Sequence, residues 1–132
     1  MRQDPDIALV RTAFERYHKG DLKGVFALAA PDVVFEPVLM NDRFEGKDAV
    51  RNLFGGAVED PRANWLASEL EFSKVGDAVI ASGKLETLGA SGMPMTVPVA
   101  WLIHVRDGLI ARMEGYLSKR QAERAARASE QS

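Results

Sequence analysis

The chain contains no cysteine and only two histidines, His18 and His104. Disulfide frameworks, thiolate metal sites, iron-sulfur clusters and cysteine nucleophiles are thereby excluded, and a reducing compartment is the matching setting. Charge of one sign is also scarce, since 17 basic and 19 acidic side chains leave a formal net charge of -2 with no basic block. Nucleic acid, which selects a clearly basic face, is not an expected partner. No apolar run approaches the roughly 18 residues that span a bilayer, so no membrane partner is expected and the chain reads as soluble and cytoplasmic. What is present is 132 residues with a 46% hydrophobic share, the proportions of one globular domain that buries most of its chain surface.

Local patterns divide the chain into helices first and strands afterwards. Asp4-Pro5 predicts a helix start, with a side-chain acceptor for the first free amides and a proline whose missing N–H costs nothing there. Ile7, Val10, Phe14 and Tyr17 then recur at helical spacing up to a stop at Gly20, and Asp21 caps a second short helix that should end at Pro31. Residues 33–39 are β-branched and aromatic, but Pro37 cannot donate to a central ladder, which predicts a short edge strand or one with a bulge. Ala49, Val50, Leu53 and Phe54 form the buried stripe of a third helix stopped by Gly55-Gly56. From residue 63 to 117 the pattern is strand after strand, with turns at Gly76-Asp77, at 89–92 and at Asp107-Gly108, and an interruption at Pro98. The tail from Lys119 has almost no apolar stripe, so the expected domain is 5–118 and the expected form of 119–132 is a frayed helix or disorder.

Three helices with one strand among them, followed by a four-stranded meander, predict an α+β architecture: a cone-shaped roll of three N-terminal helices packed on a curved mixed, mostly antiparallel sheet. A sheet curled over helices encloses a cavity, the first place to look for a ligand.

The order of short motifs resembles a known family. Phe14 and Tyr17 on the first helix, Gly20-Asp21-Leu22, the segment Ala30-Pro31-Asp32-Val33-Val34-Phe35, Phe44-Glu45-Gly46, and Ala49-Val50 with Leu53-Phe54 are similar to the first half of the SnoaL-like branch of the nuclear transport factor 2-like superfamily. Val105-Arg106-Asp107-Gly108-Leu109-Ile110 followed by Tyr116 resembles its closing hairpin. The resemblance implies a conical pocket, frequent homodimers and a hydrophobic small-molecule substrate or ligand, on a fold that hosts isomerases, cyclases, dehydratases, epoxide hydrolases and proteins without chemistry. Compared with ketosteroid isomerase, Glu36 falls at the general base, while the oxyanion tyrosine falls at Ala13 and the protonated acid at Trp101. Compared with limonene epoxide hydrolase, Lys84 and Glu86 fall at an arginine and an aspartate two residues apart, and the remaining acid falls at Gly115. Neither set is complete.

The expected catalytic residues are therefore Glu36, Lys84 and Glu86, with Phe14, Tyr17, Phe35, Phe54, Trp65, Trp101, Met113 and Tyr116 as the substrate-binding wall and no metal or organic cofactor. With thiols absent and both imidazoles peripheral, proton chemistry would fall to carboxylates helped by lysine, arginine or tyrosine. Lys84 and Glu86 share one strand face, and their alternation with Ile80 and Ser82 is the more polar one, which favours an exposed ion pair on pattern alone, while the resemblance favours a site. The leading expectation is an enzyme using carboxylate acid-base chemistry on a hydrophobic oxygenated substrate, by isomerisation, cyclisation, dehydration or epoxide opening. The alternative is a non-catalytic domain of the same fold that binds a small ligand or dimerises through the open face of its sheet.

Overall fold

In the computed structural model, which describes residues 4–37, 42–59, 67–88 and 91–131, helix α1 (Pro5–His18) opens on the Asp4 cap. The Asp4 carboxylate accepts the amides of Asp6 at 2.9 Å and Ile7 at 3.1 Å. Those backbone hydrogen bonds, with the Lys74 ammonium nearby, hold its carboxyl below the usual value. Val10, Ala13 and Phe14 are the buried face of the helix. Gly20, at φ +78°, lets the chain leave α1, and Asp21 caps α2 (Leu22–Phe26) by accepting the Gly24 amide at 2.9 Å. Arg16 donates to the Gly24 carbonyl at 2.8 Å and ties the two helices together.

Helix α2 ends before Pro31, and that proline lies inside strand β1 (Ala29–Glu36). β1 runs parallel to the last strand, and the register shifts between Ala29 and Val34, so Pro31 and Asp32 leave the ladder at an irregularity. The bulge expected for this strand thus falls near Pro31, with Pro37 beyond the strand end. β1 has a neighbour on each side, including the short β2 (Phe44–Glu45), and is not an edge. Helix α3 (Lys47–Glu59) continues through Gly55-Gly56, where a stop was expected. Glycine weakens a helix interior by roughly 1 kcal/mol relative to alanine without forbidding it.

Strands β3 (Ala67–Val75), β4 (Ala78–Leu88), β5 (Pro94–Arg106) and β6 (Leu109–Tyr116) form the antiparallel meander, and the sheet order is β2-β1-β6-β5-β4-β3. β5 runs straight through Pro98, which pairs with Lys84 of β4 and has no neighbour on the β6 side, where pairing begins only at Ala100. Asp107 and Gly108 both have positive φ, as the tight β5–β6 hairpin requires. Register shifts in β1/β6, β3/β4 and β5/β6 bend the sheet into a curved roll. At the β3 irregularity the Ser68 carbonyl presses on Gly83, where a Cβ would come within 2.5 Å of it.

The curved sheet has two unlike faces. Phe35, Val79, Ala81, Leu85, Val99 and Trp101 point to the concave side and pack under α1, α2 and α3. Ala78, Ile80, Ala100 and Leu102 point to the convex side. There they are covered by the C-terminal segment, which is helix α4 (Lys119–Gln131) with Ala122 and Ala126 fully buried. This helix packs on the sheet, where the sequence led to the expectation of a frayed helix or disorder. Alanines at i and i+4 give little hydrophobic signal, yet they let a helix lie close to a sheet. Among the described residues no helix is long and apolar enough to cross a membrane.

Candidate functional site

The concave face and the three N-terminal helices line a partly open cavity of about 80 Å3. A water site needs roughly 10–15 Å3 by this kind of measure, so the space is several times larger than a hydration hole. Each lining residue is there for a local reason. α1 contributes Val10, Ala13, Phe14 and Tyr17, which recur every three or four residues on one helix face. β1 contributes Ala29, Val33 and Phe35, and β5 contributes Trp101 and Ile103 by strict alternation. On β6, Ile110 and Met113 are three apart and still share the cavity wall, because the register shifts beside Val105. Val25, Phe26 and Val50 close it from α2 and α3.

The wall is almost wholly hydrocarbon, and Tyr17 and Trp101 are the two lining residues whose rings carry a polar group. No charged side chain lines it among the described residues. Trp101 is 1% exposed, and its ring packs 5.3 Å from that of Phe14, which in turn meets Phe72 edge-on at 5.9 Å. Its Nε1 is buried and has no hydrogen-bond partner among the described residues. A buried donor in that state costs about 1–3 kcal/mol, and native proteins seldom carry one.

Of the expected wall, Phe14, Tyr17, Phe35, Trp101 and Met113 line the cavity. Tyr116 does not, because it belongs to the opposite parity of β6 and packs on the convex side near α4. Trp65 and the side chain of Phe54 lie outside the described residues. The expected catalytic set is not assembled: none of Glu36, Lys84 and Glu86 lines the cavity. Glu36 follows Phe35 on β1, and consecutive strand residues point to opposite faces, so with Phe35 in the cavity wall Glu36 turns to the convex side. Its carboxylate lies 3.2 Å from Arg112 and 3.9 Å from Arg43. Lys84 is paired with Glu69 at 3.0 Å with 59% of its side chain exposed, and Glu86 is exposed as well. Both share the parity of Ile80, which packs on the convex side.

The convex face carries its own polar cluster, on β1, β5 and β6. Arg112 bridges Glu36 and Glu114, with Nε 2.6 Å from the Glu114 carboxylate. Tyr116 donates its hydroxyl to the other Glu114 oxygen, and His104 Nε2 stands 3.9 Å away. Burial first, then the bond to Glu114, pushes the Tyr116 phenol far above its ordinary value, since ionising it would set two anions side by side. Arg112 and Glu114 are two apart on one strand face, the spacing of a simple surface pair, but the Glu114 side chain is only 12% exposed and holds three partners. Cavity residues that patterning left unnamed as site residues, such as Ala13, Val33 and Ile110, lie at the helical or alternating positions next to those it named.

Comparisons with known proteins agree on the architecture. The SnoaL-like domain model matches residues 10–113. No curated protein matches the chain by sequence. Among solved structures, an NTF2-like protein of unknown function from Burkholderia pseudomallei superposes with a TM-score of 0.74 at 22% identity, covering 92% of this chain and 97% of its own. TerC, co-crystallised with polyporic acid, has a TM-score of 0.72 at 20% identity over 94% of this chain and 99% of its own. A candidate polyketide cyclase from Pseudomonas putida has a TM-score of 0.73 at 18% identity, covering 90% and 95%. At these identities the neighbours establish the fold alone. Matched over most of its length by the family model, with the curved roll and apolar cone described above, the chain belongs to the SnoaL-like domain family of the NTF2-like superfamily.

Proposed function

We propose that the domain binds a neutral, hydrophobic small molecule in the cavity between α1, α2, α3 and the concave face of the sheet. The observation that carries this reading is the wall itself, which is apolar on every contributing element and holds no charged side chain among the described residues. Ligand sites of this kind are mostly hydrocarbon with a few polar groups that fix orientation. An ionised ligand would lose its hydration without gaining a counter-charge, which disfavours acids and amines. The test is a calorimetric titration of the wild type and Ala13→Leu with small cyclic ketones. Leucine at position 13 fills space that the ligand would occupy, and a loss of affinity of about tenfold or more supports the reading. Equal affinity in the two proteins would place the ligand elsewhere.

A second reading, an enzyme that isomerises, cyclises, dehydrates or opens an epoxide, is favoured by the presence of Tyr17 among the lining residues and by the name of the Pseudomonas putida neighbour. In it the proton would move through Tyr17, with Glu36, Lys84 and Glu86 outside the reaction. Assaying epoxides and unsaturated ketones with wild type, Tyr17→Phe and Glu36→Gln separates the cases. Turnover lost in Glu36→Gln alone would return the mechanism to the carboxylate. The homodimer that the family resemblance implies is likewise a proposal, and sedimentation equilibrium tests it.

A further inference from the structure

Most of the cavity wall belongs to elements that hold themselves in place. β1, β5 and β6 are laddered to one another, and α1 and α3 run for 14 and 13 residues. Helix α2 is different. It has five residues, too few for a helix to persist on its own hydrogen bonds, and Gly24 near its middle weakens it further. Yet it supplies Val25 and Phe26 to the wall. Phe26 is 3% exposed, and the guanidinium of the exposed Arg51 on α3 lies 5.5 Å over its ring. One ring therefore stands between the cavity and an exposed charged side chain. Tyr17, Val25 and Met113 are the part-exposed lining residues, and two of these three lie on α2 or just before the turn that leads into it. The cavity is thinnest on this side.

The segment is jointed at both ends. Gly20, at φ +78° with no atom within 4 Å of the place of a Cβ, precedes it, and the Leu28 carbonyl that follows it accepts the Ile110 amide at 2.8 Å, where the chain joins the sheet. Between those points Arg16 Nη1 donates to the Gly24 carbonyl at 2.8 Å and Arg51 stacks on Phe26. A Cβ on Gly24 would come within 2.9 Å of the Arg16 side chain, so the first of these contacts needs a glycine there. Resting on the cavity-binding reading above, we infer that α2 is the gate of the cavity: residues 20–27 swing out between Gly20 and Leu28, Phe26 leaves the wall with them, and the ligand passes through the gap. Arg16 and Arg51 are its latches. Each latch is a single, partly solvated interaction, so losing one raises the open population about five- to tenfold. A path through the sheet would instead break ladder hydrogen bonds.

The test follows 1-tetralone into wild type, Arg16→Met and Arg51→Met, with rates read from the line shapes of the Ile103 and Ile110 methyl signals. Methionine keeps an unbranched apolar stem and removes the charge, so packing is retained. Association and dissociation should both quicken by about five- to tenfold in each variant, with Kd within about twofold of wild type, because a gate changes passage and not the bound state. Arg11→Met, which removes the stack of Arg11 on Phe72, should leave both rates unchanged. Amide hydrogen exchange reads the gate without a ligand. The Val25 and Ala27 amides, bonded to the Asp21 and Lys23 carbonyls, should exchange at least about a hundredfold faster than that of Ile103 in β5, and about five- to tenfold faster again in Arg16→Met while Ile103 is unchanged. Protection of Val25 and Ala27 equal to that of Ile103, unchanged rates in both latch variants, or a loss of affinity carried by dissociation alone would each overturn the gate while leaving the cavity as a binding site. Failure of wild type to bind the ketone would overturn the cavity reading and the gate with it.

Discussion

The two faces of one sheet have been put to opposite uses. The concave face lines its pocket with hydrocarbon and, among the described residues, with no charged side chain. The convex face is split between an apolar patch closed by α4 and a cluster in which Glu36, Arg112, Glu114, Tyr116 and His104 answer one another. Polar residues that look reactive are therefore concentrated on the convex face, away from the apolar pocket. Ion pairs that cross three strands hold those strands in register. An apolar pocket of this size invites a ligand.

Substitutions on the two faces should separate along that line. Trp101→Ala removes the largest side chain of the core and should cost about 3–5 kcal/mol, measured as a drop in the urea midpoint at unchanged slope. Glu114→Ala strips a nearly buried carboxylate from three partners and should cost roughly 1.5–3 kcal/mol by the same measurement, while affinity for small cyclic ketones such as 1-tetralone stays near the wild-type value. A matching loss of affinity there would mean that the faces are coupled. Tyr116 gives a pH signature: because its folded value is raised, the folded chain keeps a proton that the unfolded chain releases above the ordinary phenol value of 10.0. Stability should be intact below that pH and decline as pH rises beyond it, and Tyr116→Phe should flatten the decline in a pH series of thermal melts. Lys84→Ala is the smallest case, an exposed pair whose loss should change stability by no more than about 0.5 kcal/mol and leave binding unaltered.

Much of the fold was legible because its signals are local. The Asp4 and Asp21 caps, the Gly20 stop and the Asp107-Gly108 hairpin are each decided within a few residues, and each stands where the sequence puts it. Limits that depend on distant partners were not legible. Pro98 interrupts a strand only if β6 lies alongside it, and the alanines of α4 form a contact face only if Ile80 and Leu102 lie beneath them. The cavity wall followed from periodicity on α1, β1 and β5, whereas the position of Glu36 turned on a single step of strand parity. The resemblance suggested a reactive carboxylate there, and Phe35 in the cavity wall turns its neighbour away. The alternation through Ile80, Ser82, Lys84 and Glu86 had already pointed outward for Lys84 and Glu86.

Methyl chemical-shift mapping of wild type with 1-tetralone tests the division between the faces most directly. Perturbations are expected at Val33, Ile103, Ile110 and Met113, which line the cavity, with Ile80 and Leu102 on the convex side unmoved. Shifts centred on Leu102 and Val34, with the cavity methyls silent, would contradict the assignment of the ligand to the concave face.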